Sequence, residues 1–169
     1  ILDKYNINQL LIVEKDKLII KSKENQFFWH PNVAELKIKS IKKGNKDSII
    51  EATNIHKGDS VLDCTLGLGC DAIVLATMVG KKGKVVGLEF NKYISYLTRD
   101  GLENYSKYKI VDDEVKEAMG RIIVVNEHYE KFLLKQKNNS FDVIYIDPMF
   151  KKHNKKSTSM NSFRNLAYH

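Results

Sequence analysis

From Gly58 onward, short apolar runs alternate with segments of helix length, and few folds accommodate that alternation. The runs at 60–64, 84–88, 121–126 and 141–146 have strand character. Between them, 71–79, 91–105 and 129–135 predict helices, with a further acidic helical insertion at 112–119. Turn chemistry falls where a helix must return to a strand, at Gly80-Lys81-Lys82-Gly83 and Lys137-Asn138-Asn139-Ser140. The class expected is α/β with a parallel sheet. Right-handed crossovers bring all the strand carboxyl ends to one edge, where ligands of open α/β sheets bind. That topology would gather Asp63, the loop around Gly67, Glu89, Asn126 to His128, and Asp147.

The first part of the chain has a different rhythm. Leu10–Val13 and Leu18–Lys21, around a polar turn, predict a β-hairpin, and Gln26–Trp29 a third strand. His30-Pro31-Asn32 breaks the run, and 33–41 and 47–53 predict short helices, the second capped by Asp47 or Ser48. The organisation expected is an N-terminal hairpin and helical lobe at 1–57, a core at 58–150 and a basic tail at 151–169. A chain of 169 residues, 43% hydrophobic, suits one buried core.

No apolar run reaches transmembrane length, and no signal-peptide pattern opens the chain, so a cytoplasmic protein without a membrane partner is expected. The start at Ile1 reads as a fragment or trimmed chain. Cys64 and Cys70 lack C-x-x-C spacing and predict reduced thiols, while the five histidines show no ligand pattern, so no metal is expected. Lysine and arginine number 28 against 21 acidic residues, a formal charge of +7 that attracts polyanions. Basic residues recur at 37–43 and again at Lys151, Lys152, Lys155 and Lys156. Either run can be a solvated surface. The second follows a candidate active-site element and is the better RNA contact.

In Val61-Leu62-Asp63-Cys64-Thr65-Leu66-Gly67-Leu68-Gly69-Cys70-Asp71-Ala72, a strand enters a glycine turn and then a helix. Gly67 and Gly69 can take positive φ and let a ligand approach the backbone, and the helix offers free N–H groups. A tight strand-to-helix turn without a ligand would look the same. Glu89 ends the next strand, where a carboxylate can accept both hydroxyls of a ribose. A nicotinamide dinucleotide would satisfy both features. Asp63 counts against it, because a carboxylate before the loop crowds a pyrophosphate yet can accept hydrogen bonds from the ammonium of a methionine moiety. His128, between Glu127 and Tyr129, follows the third strand of this series, where an adenine edge could be met; a plain helix N-terminus is the other reading.

The run Phe141 to Ile146 ends in Asp147-Pro148-Met149-Phe150. Asp147 and the Pro148 region offer acceptors, proline fixes the turn, and Phe150 offers a face on which a base can stack. Amine methylation needs these parts. An exocyclic base amine delocalises its lone pair into the ring, and acceptors aimed at its N–H groups orient that pair and stabilise charge developing on nitrogen. The alternative is a strand-ending turn with Asp147 as a helix cap.

Together these two elements resemble class I S-adenosylmethionine-dependent methyltransferases. Asp63-x-Thr65-x-Gly67-x-Gly69-x-Asp71-Ala72 with Asp147-Pro148-Met149-Phe150 is similar to the small-subunit ribosomal RNA guanine-N2 methyltransferases. Phe28-Trp29-His30-Pro31-Asn32 and Leu62 to Leu68 look closer still to an uncharacterised bacterial branch. The resemblance covers residues 27 to 169. It implies a Rossmann-like core with S-adenosylmethionine as cofactor, held by Asp63, Thr65, Gly67, Gly69, Cys70, Asp71, Glu89, Phe90, His128 and Asp147. It further implies Asp147 and Pro148 orienting the amine, Phe150 stacking, and ribosomal RNA or a ribosomal subunit as partner.

Two positions depart from the family pattern: Cys70 stands where a basic residue is common, and Met149 where a second proline is common. The family fold has more strands than the four read in the core, so C-terminal strands are expected to be missing and a homodimer could cover the exposed edge. Methylation of a protein or small molecule, a non-catalytic nucleoside- or RNA-binding module, and an NAD-dependent oxidoreductase remain the alternatives.

Overall fold

The computed structural model describes residues 1–23 and 26–148. Its N-terminal part is an antiparallel meander of β1 (Gln9–Val13), β2 (Leu18–Ser22) and β3 (Gln26–Phe28), with Leu11 opposite Ile20 and Ile20 opposite Phe27. Two helices follow, α1 (Asn32–Lys42) and α2 (Ser48–Thr53). Asp47 caps α2, its carboxylate accepting from the Ile49 N–H at 3.0 Å. Asn54 ends the helix in the left-handed region, a conformation asparagine tolerates better than most residues.

The second part alternates strand and helix as β4 (Ser60–Asp63), α3 (Cys70–Val79), β5 (Lys84–Leu88), α4 (Lys92–Asn104), α5 (Asp113–Met119), β6 (Ile122–Val125), α6 (Tyr129–Leu133) and β7 (Val143–Tyr145). Among the described residues the sheet order is β6-β5-β4-β7, with every pair parallel. The chain steps outward from β4 to β6, then returns to lay β7 on the other side of β4. A topological switch point therefore lies between β4 and β7, where open α/β sheets bind their ligands. This is the parallel α/β arrangement expected from the alternation of strands and helices, and the Rossmann-like core that the family resemblance implies. β7 is shorter than the expected run 141–146, because Tyr145 pairs with Asp63 and β4 stops there to enter the glycine loop.

One face of this sheet is covered throughout and the other at its centre, while Ile123 and Ile144 of the flanking strands stay about half exposed. Val61, Val85 and Val124 point to the side occupied by α3, α4 and α5, and Leu62, Val86 and Leu88 to the side of α6. A strand buried on both faces reads as a continuous apolar run, which is why β4 and β5 show no apolar-polar alternation along their own length. α3 is apolar nearly all round, with Ala72 to Thr77 and Val79 buried, as befits a helix packed between the sheet and other helices. Residues 1–57 contribute to the same core, since Leu18, Ile20, Trp29, Ala34, Ile38 and Ile49 cluster with Val61, Ile73, Leu75 and Leu97. No helix among the described residues is long and apolar enough to cross a membrane.

Trp29 joins the two parts. Its ring lies on Gly101 of α4, where an added Cβ would stand 2.1 Å from Trp29 Cδ2, and meets Tyr105 edge-on at 5.4 Å. Gly101→Ala is accordingly expected to destabilise the protein by about 1–3 kcal/mol through overpacking. The clash with rigid ring atoms puts the cost in the upper part of that range, so it outweighs the roughly 1 kcal/mol that alanine returns in helix propensity and leaves a net loss of up to about 2 kcal/mol. Urea denaturation checks it: the midpoint should fall, and an unchanged or higher midpoint would show that the indole can move aside.

Candidate cofactor site

The loop after β4 is held by its neighbours on three sides. Asp63, 1% exposed, ends the strand and accepts from the Thr65 N–H at 2.9 Å. The Leu66 N–H donates to the Leu88 carbonyl of β5 at 3.0 Å, and the Thr98 hydroxyl of α4 donates to the Gly67 carbonyl at 2.7 Å. Gly67 and Gly69 have φ of 53° and 75°, and Gly69 is the residue from which α3 starts. The left-handed conformation at these positions is one that glycine adopts without steric cost.

Glu89 fastens the second strand end to this loop. One carboxylate oxygen accepts from the Gly67 N–H at 3.1 Å and the other from the Asn91 N–H at 2.7 Å. A carboxylate has about four acceptor sites, so two bonds orient it and leave capacity for a ligand's hydroxyls. Asn126, past the end of β6, donates through its amide to the Glu89 and Phe90 carbonyls at 2.6 and 2.9 Å. Phe90 is 44% exposed and meets His128 edge-on at 5.4 Å, while His128 stacks on Tyr129 at 4.7 Å. At the end of β7 the Asp147 N–H donates to Thr65 Oγ1 at 2.8 Å, with Asp147 and Pro148 exposed.

Carboxylates dominate the field of this edge. Burial pushes the Asp63 carboxyl up to about 7, and the charges of Asp71, Glu89 and Asp147 push the same way against the Thr65 N–H. Burial also raises Glu89, opposed by the Asn91 and Gly67 N–H groups. The Cys64 thiol is pushed up to about 11 by burial and by Asp63, and burial raises Cys70 as well. Both cysteines are free thiols held in the protonated form, and neither is an activated nucleophile. No group of three or more His, Cys, Asp or Glu among the described residues is arranged to hold a metal. The chemistry on offer is hydrogen-bond acceptance and a negative potential, which fit a cofactor with sugar hydroxyls and a cationic end.

The structure brings Asp63, Thr65, Gly67, Gly69, Glu89, Phe90, His128 and Asp147 to the carboxyl edge of the sheet. Cys70 and Asp71 stand on the first turn of α3. The Asp71 carboxylate is engaged by protein, with Lys37 Nζ at 2.8 Å from one oxygen and the Tyr145 hydroxyl donating to the other at 3.1 Å. Met149, Phe150, Lys151, Lys152, Lys155 and Lys156 lie outside the described residues. Sequence reasoning missed Thr98, Lys37, Tyr145 and the Trp29 indole, which donates to the Leu68 carbonyl at 2.8 Å. The available signals were a threonine on the apolar face of a helix and a lone tryptophan just before a proline break.

A family model described as "Putative SAM-dependent methyltransferase" matches residues 4–167, and the chain belongs to that family, whose cofactor is S-adenosylmethionine. Among individual relatives, an uncharacterised Bacillus subtilis protein, YpiP, is 38% identical over 94% of this chain and 61% of its own length. The ribosomal RNA small subunit methyltransferase J of Francisella tularensis subsp. novicida is 29% identical over 88% of this chain and 57% of its own length. The chain thus spans about three-fifths of these curated relatives. A solved SAM-dependent O-methyltransferase of Thermotoga maritima aligns at a TM-score of 0.44 with 15% identity, covering 84% of this chain and 56% of that one.

The raised Asp63 pKa carries a stability signature. The fold holds a proton that the unfolded chain releases in the ordinary carboxylate range, so stability falls as pH rises from that range to about 7, then levels. The slope from this group is at most about 1.4 kcal/mol per pH unit. Asp63→Asn should flatten it, leaving stability nearly unchanged at about pH 3, where both folded and unfolded Asp63 hold the proton, and progressively raised from there to about pH 8 in ligand-free denaturation. Parallel pH profiles for parent and variant would contradict the burial argument.

Proposed function

We propose that this chain forms the cofactor-binding part of an enzyme that transfers methyl from S-adenosylmethionine to an exocyclic base amine of RNA, guanine N2 of ribosomal RNA, in the cytoplasm. The observation that carries the reading is the convergence of Asp63, Glu89 and Asp147 on the switch-point edge, around a loop that starts a helix. A pyrophosphate would enter this field against Glu89, Asp147 and a partly ionised Asp63, whereas an ammonium and a sulfonium enter it with favourable charge and draw Asp63 toward its ionised form. The similarity to a ribosomal RNA methyltransferase and the formal charge of +7 support RNA as the substrate.

In this reading residues 58–150 are the cofactor core, 1–57 its supporting lobe and 151–169 a basic segment toward RNA. The cofactor supplies an electrophilic methyl on a positively charged sulfur. Glu89 accepts the ribose hydroxyls, the ammonium sits at the half-buried Thr65–Gly67 turn, drawn by the buried Asp63 carboxyl behind it, and Phe90 and His128 border the adenine. Asp147 and the Pro148 carbonyl accept from the target amine, aim its lone pair and stabilise the charge that nitrogen gains. The electron pair of the broken S–CH3 bond stays on the sulfur of the product thioether, and the surplus amine proton passes to solvent at the exposed Asp147 edge. Phe150 stacks on the base. Lys151, Lys152, Lys155 and Lys156 meet phosphates.

The test is transfer of labelled methyl to RNA by the full-length protein, followed by nucleoside analysis. Labelled N2-methylguanosine is expected; label confined to protein or small molecules would contradict the assignment. Asp147→Ala should lower turnover by about a hundredfold or more while shifting cofactor affinity little. Glu89→Ala should mainly weaken binding, by about tenfold to a hundredfold. Full turnover in Asp147→Ala would overturn the role given to that carboxylate.

A further inference from the structure

Three successive carbonyls of the glycine loop each have a donor. Leu66 O accepts from the Gly69 N–H at 2.8 Å, Gly67 O from Thr98 at 2.7 Å, and Leu68 O from the Trp29 indole at 2.8 Å. The last of these comes from outside the Rossmann-like core. We propose that Trp29 is a positioning residue for the loop, by which residues 1–57 set the loop's binding shape, with Lys37 on Asp71 as a second tether. The ligand affected is the one assigned above, so the proposal rests on the methyltransferase reading.

The physical case starts at the Leu68–Gly69 peptide. Glycine takes either sign of φ, so the peptide before it can flip at little steric cost, and a flip would exchange the carbonyl and N–H directions at the start of α3. The Gly69 N–H on Leu66 O and the indole on Leu68 O hold the two ends of that peptide, and the indole is the holder supplied from outside the loop. Trp29 can serve because it is itself immobile: 4% exposed, seated on a position of α4 where only glycine leaves room, and braced by Tyr105. A buried indole N–H without an acceptor is costly, so the bond is a requirement of the core as well as of the loop. Lys37 of α1 acts one turn further on. Its ammonium stands on Asp71, whose other oxygen accepts from Tyr145 of β7, so the first turn of α3 is tied to the lobe and to the switch-point strand.

Trp29→Phe keeps an aromatic ring and deletes the N–H, and the measurements are S-adenosylhomocysteine affinity by calorimetry and amide hydrogen exchange of the loop in the ligand-free, full-length protein. The variant should bind about tenfold more weakly, and exchange at 66–70 should quicken more than in the last turn of α3. Ile49→Ala, a core change in the same lobe remote from the loop, should lower stability with affinity unchanged. Lys37→Met should weaken binding about threefold and Lys37→Arg restore it.

Parental affinity in Trp29→Phe, unchanged loop exchange, or an equal loss in Ile49→Ala would each overturn the proposal. If Trp29→Phe does not fold, the Lys37 pair decides, and Lys37→Met with parental affinity and loop exchange overturns it. A parent protein that fails to bind S-adenosylhomocysteine would overturn the methyltransferase reading instead, and the exchange comparison would still decide whether Trp29 holds the loop.

Discussion

Parallel pairing of β4 with β5 on one side and β7 on the other is the constraint from which the site follows. A strand with a neighbour on each edge has no freedom of register, so its carboxyl end delivers Asp63 to the middle of the sheet edge. The loop that follows must turn there and start α3 on one face. Because the next strands step outward and the chain then returns to β7, Asp147 arrives beside the loop on the other side of β4, and its backbone is bonded to Thr65. Glu89 and Asn126 stitch the remaining two strand ends to the same place.

The electrostatics follow from that geometry. Asp63 is buried at its strand end and its neighbours are carboxylates, so the edge carries negative potential that is least screened at Asp63 and most at the exposed Asp147. Asp71 is the exception, neutralised within the protein by Lys37 and Tyr145. Among the described residues Asp63, Glu89 and Asp147 have no cation paired with them, and the first two are held by backbone N–H groups. Such an edge favours a ligand with hydroxyls and positive charge and disfavours a dianionic bridge.

The strand and helix pattern was legible because each buried strand is a continuous apolar run and each helix has its own period. The loop was legible because Gly67 and Gly69 follow an aspartate at a strand end. Long-range side-chain bonds were not. Lys37 sits in a basic run that reads as solvated surface, yet packing of α1 against α3 directs it to Asp71, and Lys42 from the same run pairs with Asp112 and Glu114. Trp29 reads as an aromatic at the end of a strand, and only the tertiary fold shows its indole reaching a carbonyl 39 residues on. The last strand was over-read, since its apolar run continues past the point where β4 ceases to offer a partner.

The central claim is that this edge is built for a nucleoside cofactor with a cationic end. Titration calorimetry of the full-length protein with S-adenosylhomocysteine and with NAD tests it most directly. The account predicts a saturable heat with S-adenosylhomocysteine and none with NAD at the same concentrations. Preferential binding of NAD would contradict it.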